Sequence, residues 1–153
     1  MDIVVYNPLA GGFLSGRYKT ADVPAEGRFS NRAGQLGKTY RERYFKDSTF
    51  EALRIIEEAV EKHNLTILET ALRWFVHHSA LNMTNGNDGI IIGVSKFEHL
   101  ETNLKALEKG PLPDDVVEAL DQAWMVAKAN AANYWHNDLE YTYGTEKAVF
   151  PPS

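Results

Sequence analysis

Two turns in this sequence combine residue types that could bind an anion. The first, Gly11-Gly12-Phe13-Leu14-Ser15-Gly16-Arg17, places three glycines and a guanidinium within seven residues. It approaches a phosphate-binding P-loop, but that motif needs Lys followed by Ser or Thr, where this chain has Arg17 and Tyr18. The dinucleotide glycine fingerprint is also unmatched, because the glycine spacing differs and no helix is expected directly behind it. What remains is general chemistry: the N–H groups of a tight turn beside an arginine can receive an anion. The plain alternative is a glycine turn leaving a strand. The second turn is Gly93-Val94-Ser95-Lys96, where helix N–H groups, a hydroxyl and an ammonium would suit a phosphate. Other chemistries find little support. His77 and His78 are adjacent on an expected helix and point about 100° apart, which disfavours joint metal ligation. No Gly-x-Ser-x-Gly elbow and no distinct carboxylate pair is present. The expectation from the residues alone is therefore no metal site and no catalytic group.

The elements that must carry these turns can be read from patterning. Ile3-Val4-Val5-Tyr6 reads as a short buried strand stopped by Asn7-Pro8. Residues 7–37 are rich in Gly and Pro and read as a long functional or mobile loop. Four helices are expected after it, over about residues 49–63, 67–79, 97–108 and 114–129. Capping boxes at Ser48–Glu51, Thr66–Glu69 and Ser95–Glu98 are expected to start the first three. Their apolar stripes are Phe50, Leu53, Ile56 and Val60; Leu68, Ala71, Leu72 and Phe75; then Phe97, Leu100, Leu104 and Leu107. The fourth is expected to bury Val117, Leu120, Trp124 and Ala127. Ile90-Ile91-Ile92-Gly93 reads as a strand buried on both faces, as in a parallel sheet. Two strand-to-helix turns able to hold phosphate fit the phosphate site after the last two strands of a (β/α)8 barrel. Two strands cannot make such a sheet, so the helices imply more sheet than this chain supplies.

The chain has 153 residues, 44% hydrophobic and 24% charged, which is ordinary globular composition. It contains no cysteine, which excludes disulfides, thiolate metal sites and cysteine nucleophiles. Its net charge of −5 argues against a nucleic-acid or anionic-membrane surface. The charge is uneven: residues 1–47 carry +3 and the remainder −8. No apolar run approaches membrane-spanning length and no export signal is visible, so a soluble, cytoplasmic protein is expected.

The ordered combination of Tyr6-Asn7-Pro8-Leu9-Ala10-Gly11-Gly12-Phe13-Leu14-Ser15-Gly16-Arg17-Tyr18, Gly27-Arg28-Phe29, Thr70–Trp74, Ile91–Ser95 and His99–Leu104 resembles the aldo-keto reductases. The similarity is nearest to their aflatoxin aldehyde reductase-like branch and its fungal relatives. That resemblance implies the C-terminal part of an α/β, (β/α)8 TIM barrel, with Ile3–Tyr6 and Gly89–Ile92 as its last two strands. The barrel would be incomplete in this chain, with residues 1–135 as the cofactor-binding half and 136–153 as an extension. It also implies NADPH as cofactor and hydride transfer to a small aldehyde or ketone. Carried over, Tyr6 would lie against the nicotinamide, and Leu9, Gly11 and Arg17 would hold the pyrophosphate with Arg28 closing over it. Ser95, Lys96, His99 and Asn103 would surround the adenosine and its 2′-phosphate. His99 and Thr102 depart from the residues usual at those places. The family's Asp, Tyr, Lys and His tetrad lies on earlier strands, so this chain alone is expected to be inactive and to need an N-terminal half-barrel as partner. The alternative is a non-catalytic nucleotide-binding or interaction module that assembles with another half-barrel or with itself.

Overall fold

A computed structural model describes residues 1–132; the expected extension 136–153 lies outside the described residues. Two strands, β1 (Val4–Tyr6) and β2 (Gly89–Ile91), pair in parallel with Val4 opposite Gly89, Val5 opposite Ile90 and Tyr6 opposite Ile91. The Asp88 carboxylate fastens the start of this ladder. It accepts from the Ile3 N–H at 2.7 Å and from the Asn82 N–H at 2.8 Å. Those two backbone hydrogen bonds hold its acidity above that of an ordinary aspartate, lowering the pKa.

Both strands were expected from sequence, and their parallel pairing agrees with it. Their burial does not. Val4 and Ile91 are each 58% exposed, because among the described residues the two-stranded sheet has no further strands beside it to cover them.

Five helices complete the described residues: α1 (Gly34–Tyr44), α2 (Asp47–Lys62), α3 (Ile67–His77), α4 (Phe97–Leu107) and α5 (Asp114–Lys128). Helix α1 was not expected. It begins in what read as loop and packs through Gly37, where an added Cβ would overlap the Ser30 carbonyl oxygen. Of the three expected capping boxes, only Thr66 caps as predicted, its hydroxyl accepting from the Glu69 N–H at 3.1 Å. Helix α2 starts two residues earlier than expected, at Asp47, so Ser48 falls inside its first turn and its hydroxyl instead receives Asn130 Nδ2 at 3.3 Å. Helix α4 starts at Phe97 with no side-chain cap, which leaves Ser95 outside it.

The core is an aromatic cluster rather than a continuation of the sheet. Phe13 and Phe29 are buried, and Phe29 stacks on Phe45 at 4.7 Å while Phe13 meets Phe50 edge-on at 5.3 Å. These side chains pin the glycine- and proline-rich stretch expected to be a long structureless loop, which also contains 3-10 turns over Ala10–Ser15 and Asn31–Ala33. Helix α2 buries Phe50, Leu53 and Val60 as predicted.

The other three stripes are rotated from their expected positions: helix α3 buries Ile67, Thr70 and Leu72, of which only Leu72 was expected. Helix α4 buries Asn103 and Ala106 and exposes Phe97 (76%) and Leu104 (48%). Helix α5 buries Val116 and Ala123 and leaves Trp124 half exposed. No helix among the described residues is long and apolar enough to cross a membrane.

The two adjacent histidines serve the packing of α3 on the segment between α4 and α5. His77 Nε2 bonds the Lys109 carbonyl at 2.7 Å, and His78 Nε2 accepts from the Leu112 N–H at 2.9 Å. Burial, and then the charges of His77 and Arg73, push the His78 pKa down against the pull of Asp114. A histidine whose folded pKa is lowered contributes stability that is complete above the ordinary value of 6.5 and is lost as pH falls from there toward the folded value. Urea unfolding at pH 7.5 and pH 5.5 should therefore show a larger acid loss for the unchanged chain than for His78→Gln, whose amide oxygen keeps an acceptor at every pH. Equal losses would remove His78 from the account.

Candidate functional site

The turn leaving β1 adopts a backbone conformation that ordinary residues avoid. Asn7 (φ 61°), Ala10 (φ 49°), Gly11 (φ 70°) and Gly12 (φ 98°) all have positive φ. For Ala10 this costs about 1–2 kcal/mol. Asn7 stabilises the arrangement from within: its Oδ1 accepts from the Gly11 N–H at 2.6 Å, and its Nδ2 donates to the Tyr44 hydroxyl at 3.3 Å. The Gly11 amide, expected to face a phosphate, is thus engaged inside the turn. What Gly11 supplies is room, since a Cβ there would overlap the ring of Tyr40 and lie 3.2 Å from Arg28 Cδ. Burial raises the Tyr44 pKa, against Arg43 and the hydrogen bond from Asn7, so its hydroxyl stays a neutral partner for Asn7.

Parallel pairing of β1 with β2 sets this turn beside the one leaving β2. Between them opens a cleft of about 770 Å³, within the range usual for small-molecule sites. Eight of the nine predicted cofactor residues line it: Tyr6, Leu9, Gly11 and Arg17 from the first turn, Arg28 from the following loop, and Ser95, His99 and Asn103 from the second turn and α4. Lys96 does not line it and sits exposed at the N-terminal boundary of α4. A smaller cavity of about 210 Å³, bounded by Tyr44, Trp124 and three alanines, contains none of the predicted residues.

The cleft is electrostatically one-sided, for no carboxylate among the described residues lines it. Among the described residues Arg17 and Arg28 form no ion pair, whereas Arg32, Arg73, Lys38, Lys105 and Lys109 each do. Two uncompensated guanidinium groups in one cleft favour an anionic ligand. Asn103 adds a more specific demand. Its side chain is 1% exposed, and Oδ1 is buried with no hydrogen-bond partner among the described residues. A buried acceptor left unmet costs about 1–3 kcal/mol, which a ligand donor would recover.

Of the cleft residues not assigned to the cofactor from sequence, Ser15 and Tyr40 carry chemistry. Ser15 carries a buried hydroxyl that is likewise unpartnered. It stood inside the quoted glycine motif, and its position between Gly12 and Arg17 was the available signal. Tyr40 projects from the unexpected helix α1, where the spacing Gly37, Tyr40, Tyr44 marks one face. No group of three His, Cys, Asp or Glu able to hold a metal occurs among the described residues.

Residues 1–125 match the family model described as "Aldo/keto reductase family". The chain is 45% identical over 133 residues to an aldo-keto reductase of Pseudocercospora fijiensis, covering 85% of this chain and 44% of that protein. It is 44% identical over 137 residues to aflatoxin B1 aldehyde reductase member 2 of Mus musculus, covering 85% of this chain and 36% of that one. The human member 2 is 41% identical over the same length, with 37% of it covered. The chain therefore spans about two fifths of the length of these relatives.

Proposed function

The chain belongs to the aldo/keto reductase family, and from that premise we propose that it is the NADPH-binding part of a carbonyl reductase with a (β/α)8 barrel. The observation that carries this reading is the joining of the two phosphate-suited turns in one cationic cleft, with the buried acceptor Asn103 Oδ1 unmet inside it. The residues present fit a dinucleotide: guanidinium and hydroxyl groups for its phosphates, an amide acceptor for a donor such as the adenine amino group, and an exposed tyrosine ring at the strand end. When bound, NADPH supplies a hydride to a small aldehyde or ketone. The chain's own residues bind and orient. Arg17 and Arg28 would neutralise the pyrophosphate, with Ser15 Oγ donating beside them. Ser95, whose hydroxyl is not used as a helix cap, would join His99, Asn103 and the nearby Lys96 around the adenosine and its 2′-phosphate. The Tyr6 ring, 61% exposed at the end of β1, would provide a flat wall for the nicotinamide.

The proton donor that a carbonyl reduction needs is not among these residues. In this reading it comes from an N-terminal half-barrel, and the chain alone does not turn over substrate. The exposed apolar residues Val4 and Ile91 on the strands, and Phe97 and Leu104 on α4, support a surface covered by further strands and helices.

Calorimetric titration of the chain with NADPH tests the reading. Binding is expected, and Asn103→Leu should weaken it about tenfold, the cost of one lost buried hydrogen bond. A folded chain that takes up no heat from NADPH would refute it.

A further inference from the structure

Arg28 is exposed beside the buried Phe29, and its guanidinium reaches the cleft against one side chain, Tyr40. The Arg28 Cζ lies 5.2 Å from the centroid of the Tyr40 ring, and Nη1 donates to the Tyr40 hydroxyl at 3.2 Å. Tyr40 is itself held firmly. Its ring meets Phe29 edge-on at 5.7 Å, lies 5.9 Å from Tyr44, and covers the Cα of Gly11 so closely that no side chain could stand there. One tyrosine thus touches both the strained turn and the arginine opposite it.

The kind of partner matters. An arginine held by a carboxylate would have its charge compensated before any ligand arrived. Arg28 rests on a π-face and one hydroxyl, so most of its five N–H donors and all of its charge remain available. The geometry points to Tyr40 as a positioning residue that fixes the Arg28 guanidinium toward the pyrophosphate bridge of the dinucleotide. Tyr40 acts through Arg28 rather than by taking the phosphate itself, and the inference rests on the NADPH-binding reading given above.

Two ligands separate this role from mere support of the fold. NADPH contains the pyrophosphate; adenosine 2′,5′-bisphosphate contains the adenosine end without it. In titrations of the full chain, Tyr40→Leu should weaken NADPH about tenfold and Tyr40→Phe, which keeps the π-face, about threefold. Both should leave adenosine 2′,5′-bisphosphate within about twofold of the unchanged chain, and Tyr40→Leu should have no further effect in an Arg28→Met background. The inference is overturned if both Tyr40 variants bind NADPH as the unchanged chain does, if both ligands weaken in parallel in Tyr40→Phe, or if the Tyr40→Leu loss persists without Arg28. An unchanged chain that takes neither ligand would instead refute the NADPH reading, and this inference with it.

Discussion

Gly11→Ala is expected to weaken NADPH binding by at least about tenfold and to lower stability by about 2 kcal/mol. Two costs combine at this position. Alanine at φ 70° is strained by about 1 kcal/mol, and its Cβ must displace the Tyr40 ring, which Phe29 and Tyr44 brace from other sides. If the ring moves, it carries the partner of Arg28 with it. Gly12→Ala is the control. Its φ of 98° is equally unsuited to a side chain, but no heavy atom lies within 4 Å of the added carbon. Strain alone should therefore appear in Gly12→Ala, and strain plus displacement in Gly11→Ala. Urea midpoints measured on the two variants together check the difference, since Gly12 also lines the cleft; equal losses of stability in both would remove Tyr40 from the explanation.

Arg73→Met should destabilise the chain by about 3 kcal/mol, the largest stability effect expected here. Arg73 joins α3 to the segment between α4 and α5. Nη1 meets Glu69 Oε1 at 2.8 Å, Nε donates to the Gly110 carbonyl at 2.7 Å, and Nη2 donates to the Pro111 carbonyl at 2.6 Å. Lys109 Nζ completes the cluster on Glu69 Oε2 at 2.8 Å. The Arg73 and Glu69 side chains are only 11% and 12% exposed, so removing the guanidinium leaves the shielded carboxylate to Lys109 alone and strands two carbonyls. Lys109→Met, at a residue 52% exposed, should cost below about 1 kcal/mol.

Acid behaviour should separate the two Arg73 backgrounds as well. Burial pushes the Glu69 pKa up, but hydrogen bonds from Lys109 and Arg73 outweigh it and leave the value lowered. A carboxylate with a lowered folded pKa stabilises above its ordinary value of 4.5, and that contribution disappears as pH falls through the folded value. Urea unfolding at pH 7 and pH 4 should show a smaller acid loss in Arg73→Met than in the unchanged chain. A cost under about 1 kcal/mol at pH 7 would show the cluster to be ornamental.

Both strands and helices α2 to α5 were legible in the sequence because each rests on local chemistry: Thr66 with Glu69 specifies a helix start, and Asn7-Pro8 specifies a strand end. Of the cleft, local chemistry gave only a general anion turn at Gly11 through Arg17 and a second at Gly93 through Lys96; the other cofactor residues came from the family resemblance. The errors share one physical origin. Periodicity identifies apolar residues but not which of them face the rest of this chain. On α4 the inward residues are Asn103 and Ala106, while Phe97 and Leu104 project outward. Helices α2 and α5 pack on each other, and small residues of both, Ala52, Ala59 and Ala123, are buried, which a search for large side chains passes over. Helix α1 was hidden because its packing face is Gly37, Tyr40 and Tyr44. A glycine there reads as a breaker until the Ser30 carbonyl that needs its surface is in view.

The ladder between β1 and β2 has only three residue pairs, and it joins positions 85 residues apart. Closing a loop of that length costs about 4 kcal/mol in chain entropy, against a handful of backbone hydrogen bonds each contributing about 1 kcal/mol net. The two turns that form the cleft depend on that ladder for their proximity. A ligand spanning both turns would add about 2.7 kcal/mol at a hundredfold excess over its dissociation constant. Such a ligand would act as a non-covalent crosslink between the first and last thirds of the described chain. Occupancy would then govern how often the seam opens, so resistance to proteases should rise with the concentration of a ligand that fills the cleft.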